Sequence, residues 1–183
     1  GRHLVQELVD HREGEIFVLC RAGSMGRLET LMKRWGSSRV VPVVGDLSKD
    51  GLGVDAGWVS EHAGSVEHFF HLAAIYDMTA SDEMNERLNV GGTRYAVELA
   101  GRLEVGHFHQ VSSIAASGDY HGVFDETMFD EGQRLPSAYH RTKFESEQIV
   151  RTEAAVPWRI YRPAIVVGDS VTGEMDKVDG PYY

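Results

Sequence analysis

Hydrophobic positions recur in two rhythms along this chain, and the alternation of those rhythms predicts its architecture. Leu4, Val5, Leu8 and Val9 fall at helical spacing, which predicts a helix over 2–10. Ile16-Phe17-Val18-Leu19-Cys20 is a short unbroken apolar run, the pattern of a strand buried on both faces of a parallel sheet. Leu28, Leu31 and Met32 place a helix at 25–35, and Val40 to Val44 reads as a second strand ending at Gly45-Asp46. A short helix is expected at 55–62, a third strand at 66–71 and a long helix at 82–100 carrying Leu88, Val90, Tyr95, Val97 and Leu99. A fourth strand at 108–111 delivers Ser112-Ser113 at its end. Residues 117–135 form an irregular acidic stretch too long for a simple connector, so function is expected there. A helix at 136–155 and a strand at 158–161 complete the pattern. Strands alternating with helices of these lengths predict an α/β fold, a Rossmann-type doubly wound parallel sheet.

Composition narrows the classes without changing the fold. A chain of 183 residues, 42% hydrophobic and 25% charged, suits one ordinary globular domain. The net charge of −10 argues against nucleic acid or an anionic membrane as the main partner, and no apolar run is long enough to span a bilayer. The single cysteine, Cys20, allows no intrachain disulfide and no zinc-type spacing, which points to a reducing, cytoplasmic compartment.

Ligands of an open parallel sheet gather beyond the carboxyl ends of its strands, and the chemically unusual residues fall there. Arg21 follows the first strand. An acid at that point would hold ribose hydroxyls, whereas a cation suits a 2′-phosphate, so NADP(H) is favoured and NAD(H) stays possible. Asp46 either accepts a hydrogen bond from an adenine amino group or acts as a simple helix cap before Leu47-Ser48. After the third strand, the small side chains of Ala73-Ala74 would let a ribose approach the backbone, while His71 reads as structural. His107 and His109 share a strand face without an evident third ligand, so no metal site is expected.

The paired Gly91-Gly92 inside the long helix cost roughly 1 kcal/mol each against alanine. They need a reason, such as close packing or a bend that lets Asn89 hold a water near Lys143. Ser113 is placed to donate to a substrate carbonyl oxygen, and no partner histidine is evident that would make it an acyl nucleophile. Arg162-Pro163 close the last strand, where the nicotinamide end of a dinucleotide would lie.

Tyr139 and Lys143 are the centre of the pattern. Four residues apart on a helix, they share a face one turn apart. An ammonium near a phenol favours the phenolate, which would let a tyrosine exchange protons nearer neutrality and act as acid or base on a carbonyl or alcohol.

His71-Leu72-Ala73-Ala74, Asn89-Val90-Gly91-Gly92-Thr93, Val111-Ser112-Ser113, Tyr139-x-x-x-Lys143 and Arg162-Pro163, in this order, resemble the extended short-chain dehydrogenase/reductase family over nearly the whole chain. The stretches 136–143 and 162–182 are most similar to its thioester-reductase and fatty-acyl-reductase branch, which includes enzymes of lipid metabolism and bacterial proteins with a second, C-terminal domain of the same family. The resemblance implies Tyr139 as acid/base, Lys143 as the group that tunes it and holds the nicotinamide ribose, Ser113 as the carbonyl-orienting serine and Asn89 as a member of the proton relay. It implies cofactor contacts from Gly1, Arg21, Asp46, Leu47, Leu72, Ala73, Ala74, Tyr139, Lys143, Arg162, Pro163 and Ile165. It also implies homodimerisation through the helices near 82–100 and 136–155.

The family fold begins with a strand and a glycine-rich turn, of which only Gly1 has a counterpart here. The chain opens on a helical pattern and closes on Gly180-Pro181-Tyr182-Tyr183 without a stop signal. Residues 1–183 are therefore expected to be a partial NAD(P)-binding domain, truncated at both ends and lacking the C-terminal substrate-binding part. The absent strand is expected at the sheet centre, between 16–20 and 66–71. A second departure is Ser117, which stands just before Gly118 where the family often has an aromatic residue. The reading that follows is an NADPH-dependent reductase of a carbonyl or acyl thioester. Alternatives are an NAD-dependent sugar-nucleotide epimerase on the same scaffold and a non-catalytic NADP-binding module. Dehydration is disfavoured, because Ile114-Ala115 stand after Ser113 where dehydratases carry an acidic pair.

Overall fold

The computed structural model describes residues 1–73 and 82–175. Its elements run α1 (Arg2–His11), β1 (Ile16–Cys20), α2 (Met25–Trp35), β2 (Val40–Val44), α3 (Ala56–His62), β3 (His68–His71), α4 (Asp82–Asn85), α5 (Gly92–Arg102), β4 (His107–Val111), α6 (Ala138–Glu153) and β5 (Trp158–Tyr161). A π-helical turn, Glu86–Gly91, joins α4 to α5.

Local chemistry explains where these elements start and stop. α2 ends at Gly36, whose φ of 62° gives the left-handed turn that closes a helix without a Cβ penalty. α3 exists as a short helix because Asp55 caps it, accepting from the Trp58 amide at 2.9 Å. α6 begins at Ala138 rather than 136, because Ser137 is its N-cap and leaves Pro136 outside. β3 begins at His68 rather than 66; Val66 and Glu67 lead into it, their carbonyls accepting from Gly106 and His107.

All strand pairings are parallel. β1 pairs with β2 from Ile16↔Val40 to Cys20↔Val44, and β4 lies between β3 and β5 with His71↔Gln110↔Ile160 in register. Among the described residues no ladder joins these two groups, so the sheet stands in two parts with a break between β1 and β3. The unbroken apolar run predicts a β1 buried on both faces; the strand is instead half-buried, with Leu19 38% exposed. An edge strand with one neighbour cannot be covered as a central strand is.

The core lies on one face of the sheet. Ala96, Val97, Leu99, Ala100 and Leu103 of α5 and Ile149 and Val150 of α6 close over Phe108, and Leu52 and Val59 extend the same cluster. Phe69 stacks on Phe108 with ring centres 5.4 Å apart. Full burial of Phe108 contributes about 1.5–3 kcal/mol. α3 lies on this side too, Phe17 meeting Trp58 edge-on at 5.2 Å. Cys20, on the opposite face of β1, meets Met25 at the start of α2, its thiol 3.2 Å from the thioether sulfur. Helices therefore flank the sheet on both faces, the doubly wound arrangement.

Candidate active site

Lys143 enters the interior from α6 and is 6% exposed. Its ammonium donates to the Val111 carbonyl at 3.3 Å, at the carboxyl end of β4. Its nitrogen lies 5.9 Å from the centre of the Tyr139 ring, one turn earlier on α6. Burial pulls the Lys143 pKa below its ordinary value, and the Glu147 carboxylate one turn later opposes that pull.

Ser113 follows β4 and caps the short 3₁₀ turn Ile114–Ser117, its Oγ accepting from the Ala115 amide at 3.2 Å. Two bonds tie this end of β4 to β5: the Ser112 amide donates to the Tyr161 carbonyl at 2.8 Å, and the Ile114 amide to the Pro163 carbonyl at 3.1 Å. Ser113, Lys143 and Pro163 are thus held together beyond the strand ends. The Ser112 Oγ is buried and has no hydrogen-bond partner among the described residues.

The glycine pair in the long helix has two separate explanations. A Cβ on Gly92 would sit 2.5 Å from Leu47 Cγ, so Gly92 is required by packing. Gly91 meets nothing closer than 4.0 Å and lies at the end of the π turn. That turn carries Asn89, which is 2% exposed and locked from two sides. Its side-chain nitrogen donates to Thr142 Oγ1 at 3.3 Å, and its carbonyl accepts from Thr93 Oγ1 at 2.6 Å and Ser146 Oγ at 3.1 Å. Sequence spacing alone does not single out Thr93, Thr142 and Ser146. Small hydroxyls on the buried stripes of two packed helices are the available signal.

His71 is buried, its Nε2 3.2 Å from Thr93 Oγ1. Because the Thr93 hydroxyl proton is committed to Asn89, Nε2 must carry the donated hydrogen. Burial, reinforced by the Lys143 charge, pushes the His71 pKa down to about 4, so the ring is neutral at physiological pH.

The remaining expected residues lie at other strand ends. Arg21 is exposed just beyond β1, and Asp46 lies just beyond β2. The Asp46 carboxylate accepts from the Ser48 amide at 2.9 Å and hydroxyl at 2.7 Å, and these bonds hold its pKa below the usual range. Asp46 thus closes a turn on Ser48; no helix starts at Leu47 for it to cap. Leu47 packs on Gly92; Leu72 and Ala73 are exposed after β3, and Ala74 lies outside the described residues. Gly1 is exposed at the start of α1, and Ile165 is 70% exposed. The Arg162 guanidinium turns towards α6, where it grips Glu147.

His107 and His109 share their sheet face with His68, a neighbour that spacing along the chain does not pair with them. His68 Nδ1 and His109 Nε2 are 3.0 Å apart, the spacing of hydrogen-bonded imidazoles. Among the described residues no group of His, Cys, Asp or Glu could hold a metal ion, and no helix is long and apolar enough to cross a membrane.

The family model for the NAD-binding male sterility protein matches residues 1–183. A linear gramicidin synthase of Brevibacillus parabrevis is 29% identical over 98% of this chain. This chain spans 4% of that much longer protein. The terminal R domain of the myxalamid PKS-NRPS pathway superposes with a TM-score of 0.78 at 24% identity, over 91% of this chain and 46% of that one. UDP-glucuronic acid 4-epimerase of Bacillus cereus, solved in complex with NAD, superposes with a TM-score of 0.70 at 21% identity, over 92% of this chain and 53% of that one. At these identities the two solved structures speak for the fold alone.

Proposed function

Since the chain belongs to the NAD-binding male sterility protein family, a thioester-reductase-like branch of the extended short-chain dehydrogenases/reductases, we propose that it carries the catalytic half of an NADPH-dependent reductase acting on a carbonyl or acyl thioester. One observation supports this most: the Lys143 ammonium is anchored on the Val111 carbonyl, 5.9 Å from the Tyr139 ring and beside the strand end that presents Ser113.

The residues beyond the strands fit a dinucleotide. Val44 and Leu72 are 52% and 37% exposed at the ends of β2 and β3, apolar surface that a cofactor would cover. Arg21 would pair with a 2′-phosphate, which favours NADP(H) over NAD(H). Lys143 would hold the nicotinamide ribose, and Leu72, Ala73 and the segment after Pro163 would line the cofactor. A nicotinamide dinucleotide held there would supply the hydride for the carbonyl carbon.

The chain's own residues manage the oxygen. Ser113 donates to the substrate carbonyl and helps hold the negative charge that develops there. Tyr139 passes its hydroxyl proton to that oxygen, and the buried Lys143 cation stabilises the phenolate left behind. Asn89, buried and fixed by Thr142 and Ser146 of the helix that carries Lys143, would support return of the proton.

The break between β1 and β3 suits one further parallel strand, which would complete the sheet and bring a glycine-rich turn to the start of α1. The outer faces of α5 and α6 would form a homodimer contact. The experiment that tests the activity follows NADPH absorbance in the intact protein against a panel of acyl-CoA thioesters and aldehydes, with NADH run in parallel.

A further inference from the structure

Glu147 is a carboxylate with no exposed surface, a full turn beyond Lys143 on α6. A buried charge of this kind persists only where partners compensate its loss of water. Arg162, arriving just after β5, donates to it from Nε at 3.0 and 3.1 Å and from Nη2 at 2.7 Å. Arg151 on α6 lies 4.0 Å away.

The same guanidinium reaches in a second direction. Arg162 Nη1 donates to the Met128 carbonyl at 2.9 Å and the Asp125 carbonyl at 3.4 Å, and the Phe124 ring lies 5.1 Å from the guanidinium carbon. Phe129, next along, stacks on Phe144 of α6 with ring centres 4.4 Å apart, and Arg151 covers its other side at 4.6 Å. The middle of the long acidic loop is therefore fastened to α6 through the Glu147 clamp. The loop's two ends are fastened separately, by Arg134 on Asp119 at 2.7 Å and by Gln133 on the Ala116 carbonyl at 3.0 Å, next to the turn that Ser113 caps.

We propose that Glu147 is a positioning residue of the reductase site: gripped by Arg162 and buried one turn beyond Lys143 on the same helix, one carboxylate both pins the 124–129 stretch of the loop and lends counter-charge to the Lys143 ammonium in the interior. This rests on the reductase reading only for its consequence in catalysis. Among the described residues, Lys143 touches the Val111 carbonyl of β4 and lies by the Tyr139 ring of α6, and the groups within reach of its charge are Glu147 of α6 and the neutral His71 of β3. Glu147 is the anion of this set. Its loss leaves a cation in a poorly solvated site, and Lys143 releases its proton at lower pH.

The test needs no turnover, so its failure is distinct from failure of the reductase reading. The intact protein is labelled with 13Cε-lysine, and the titration midpoint of Lys143 is read by NMR with Lys33 and Lys49 as exposed references. Amide exchange over 124–129 is read in parallel by mass spectrometry. Glu147→Gln is expected to lower the Lys143 midpoint by about 1 pH unit or more and to speed loop exchange roughly tenfold. Arg162→Gln is expected to speed loop exchange equally without lowering the Lys143 midpoint, because Arg151 remains to compensate the carboxylate. Should Glu147→Gln fail to fold around an unpaired Arg162, the double variant Glu147→Gln/Arg162→Gln removes both charges and must still show the lowered midpoint. A Lys143 midpoint unchanged in the variants that lack Glu147, or lowered equally by Arg162→Gln alone, overturns the proposal.

Discussion

The Lys143 ammonium donates to the Val111 carbonyl at 3.3 Å, so the cation that α6 carries is fixed to the end of the strand that presents Ser113. Helix and strand are locked at the one point where their chemistry meets. Replacing Lys143 with Met keeps most of the buried volume and removes the charge. The expected outcome is a fall in turnover of about 10²–10⁴-fold, with the far-ultraviolet circular dichroism spectrum of the wild type.

The two glycines of the long helix are expected to behave differently. Gly92→Ala drives a Cβ to 2.5 Å from Leu47 Cγ and should destabilise by about 1–3 kcal/mol. Gly91→Ala has open space and a helical φ of −59°, and should be neutral or stabilising by up to about 1 kcal/mol. Urea denaturation of both variants at equal protein concentration measures the contrast.

Acid should weaken this fold through His71. Its pKa in the fold is about 4, below the 6.5 of a solvated imidazole, so between these values the unfolded chain binds more protons than the folded one. Stability contributed by the neutral ring is present above pH 6.5 and is lost as pH falls towards 4. The loss is on the order of 3 kcal/mol. Denaturation midpoints across this range should slope downwards with acidification, and the slope should flatten in His71→Gln.

Much of this architecture is legible from the hydrophobic rhythm, because an unbroken apolar run such as 16–20 marks a strand and a stripe such as Leu28, Leu31 and Met32 marks the inner face of a helix, although burial in β1 falls short of what its run suggests. The Tyr139–Lys143 pair is legible for the same reason, its spacing fixing a shared helical face. The π turn at Glu86–Gly91 is visible only as an unexplained glycine pair, since the sequence cannot show that Leu47 occupies the space beside Gly92. Glu147 escapes a reading of the sequence altogether. A glutamate in a helix reads as solvated, and only the tertiary arrival of Arg162 from beyond β5 makes it buried. Asp46 has two open readings in the sequence, and the structure adds a turn in which its Oδ1 accepts from the Ser48 amide and hydroxyl.

Arg21 gives the cofactor prediction. Exposed at the end of β1, it is expected to select NADPH by its charge alone. Arg21→Ala should weaken NADPH binding by about tenfold or more, the range of a charge-assisted pair. NADH binding should stay near its wild-type strength. Fluorescence titration of both cofactors measures the ratio.

The most direct test of the central claim compares wild type with Tyr139→Phe in a single-turnover measurement of NADPH oxidation, using an acyl-CoA thioester or aldehyde that the wild type reduces. If Tyr139 is the proton donor, the variant turns over about 10²–10⁴-fold more slowly while still binding NADPH. A Tyr139→Phe protein that oxidises NADPH at the wild-type rate would contradict it.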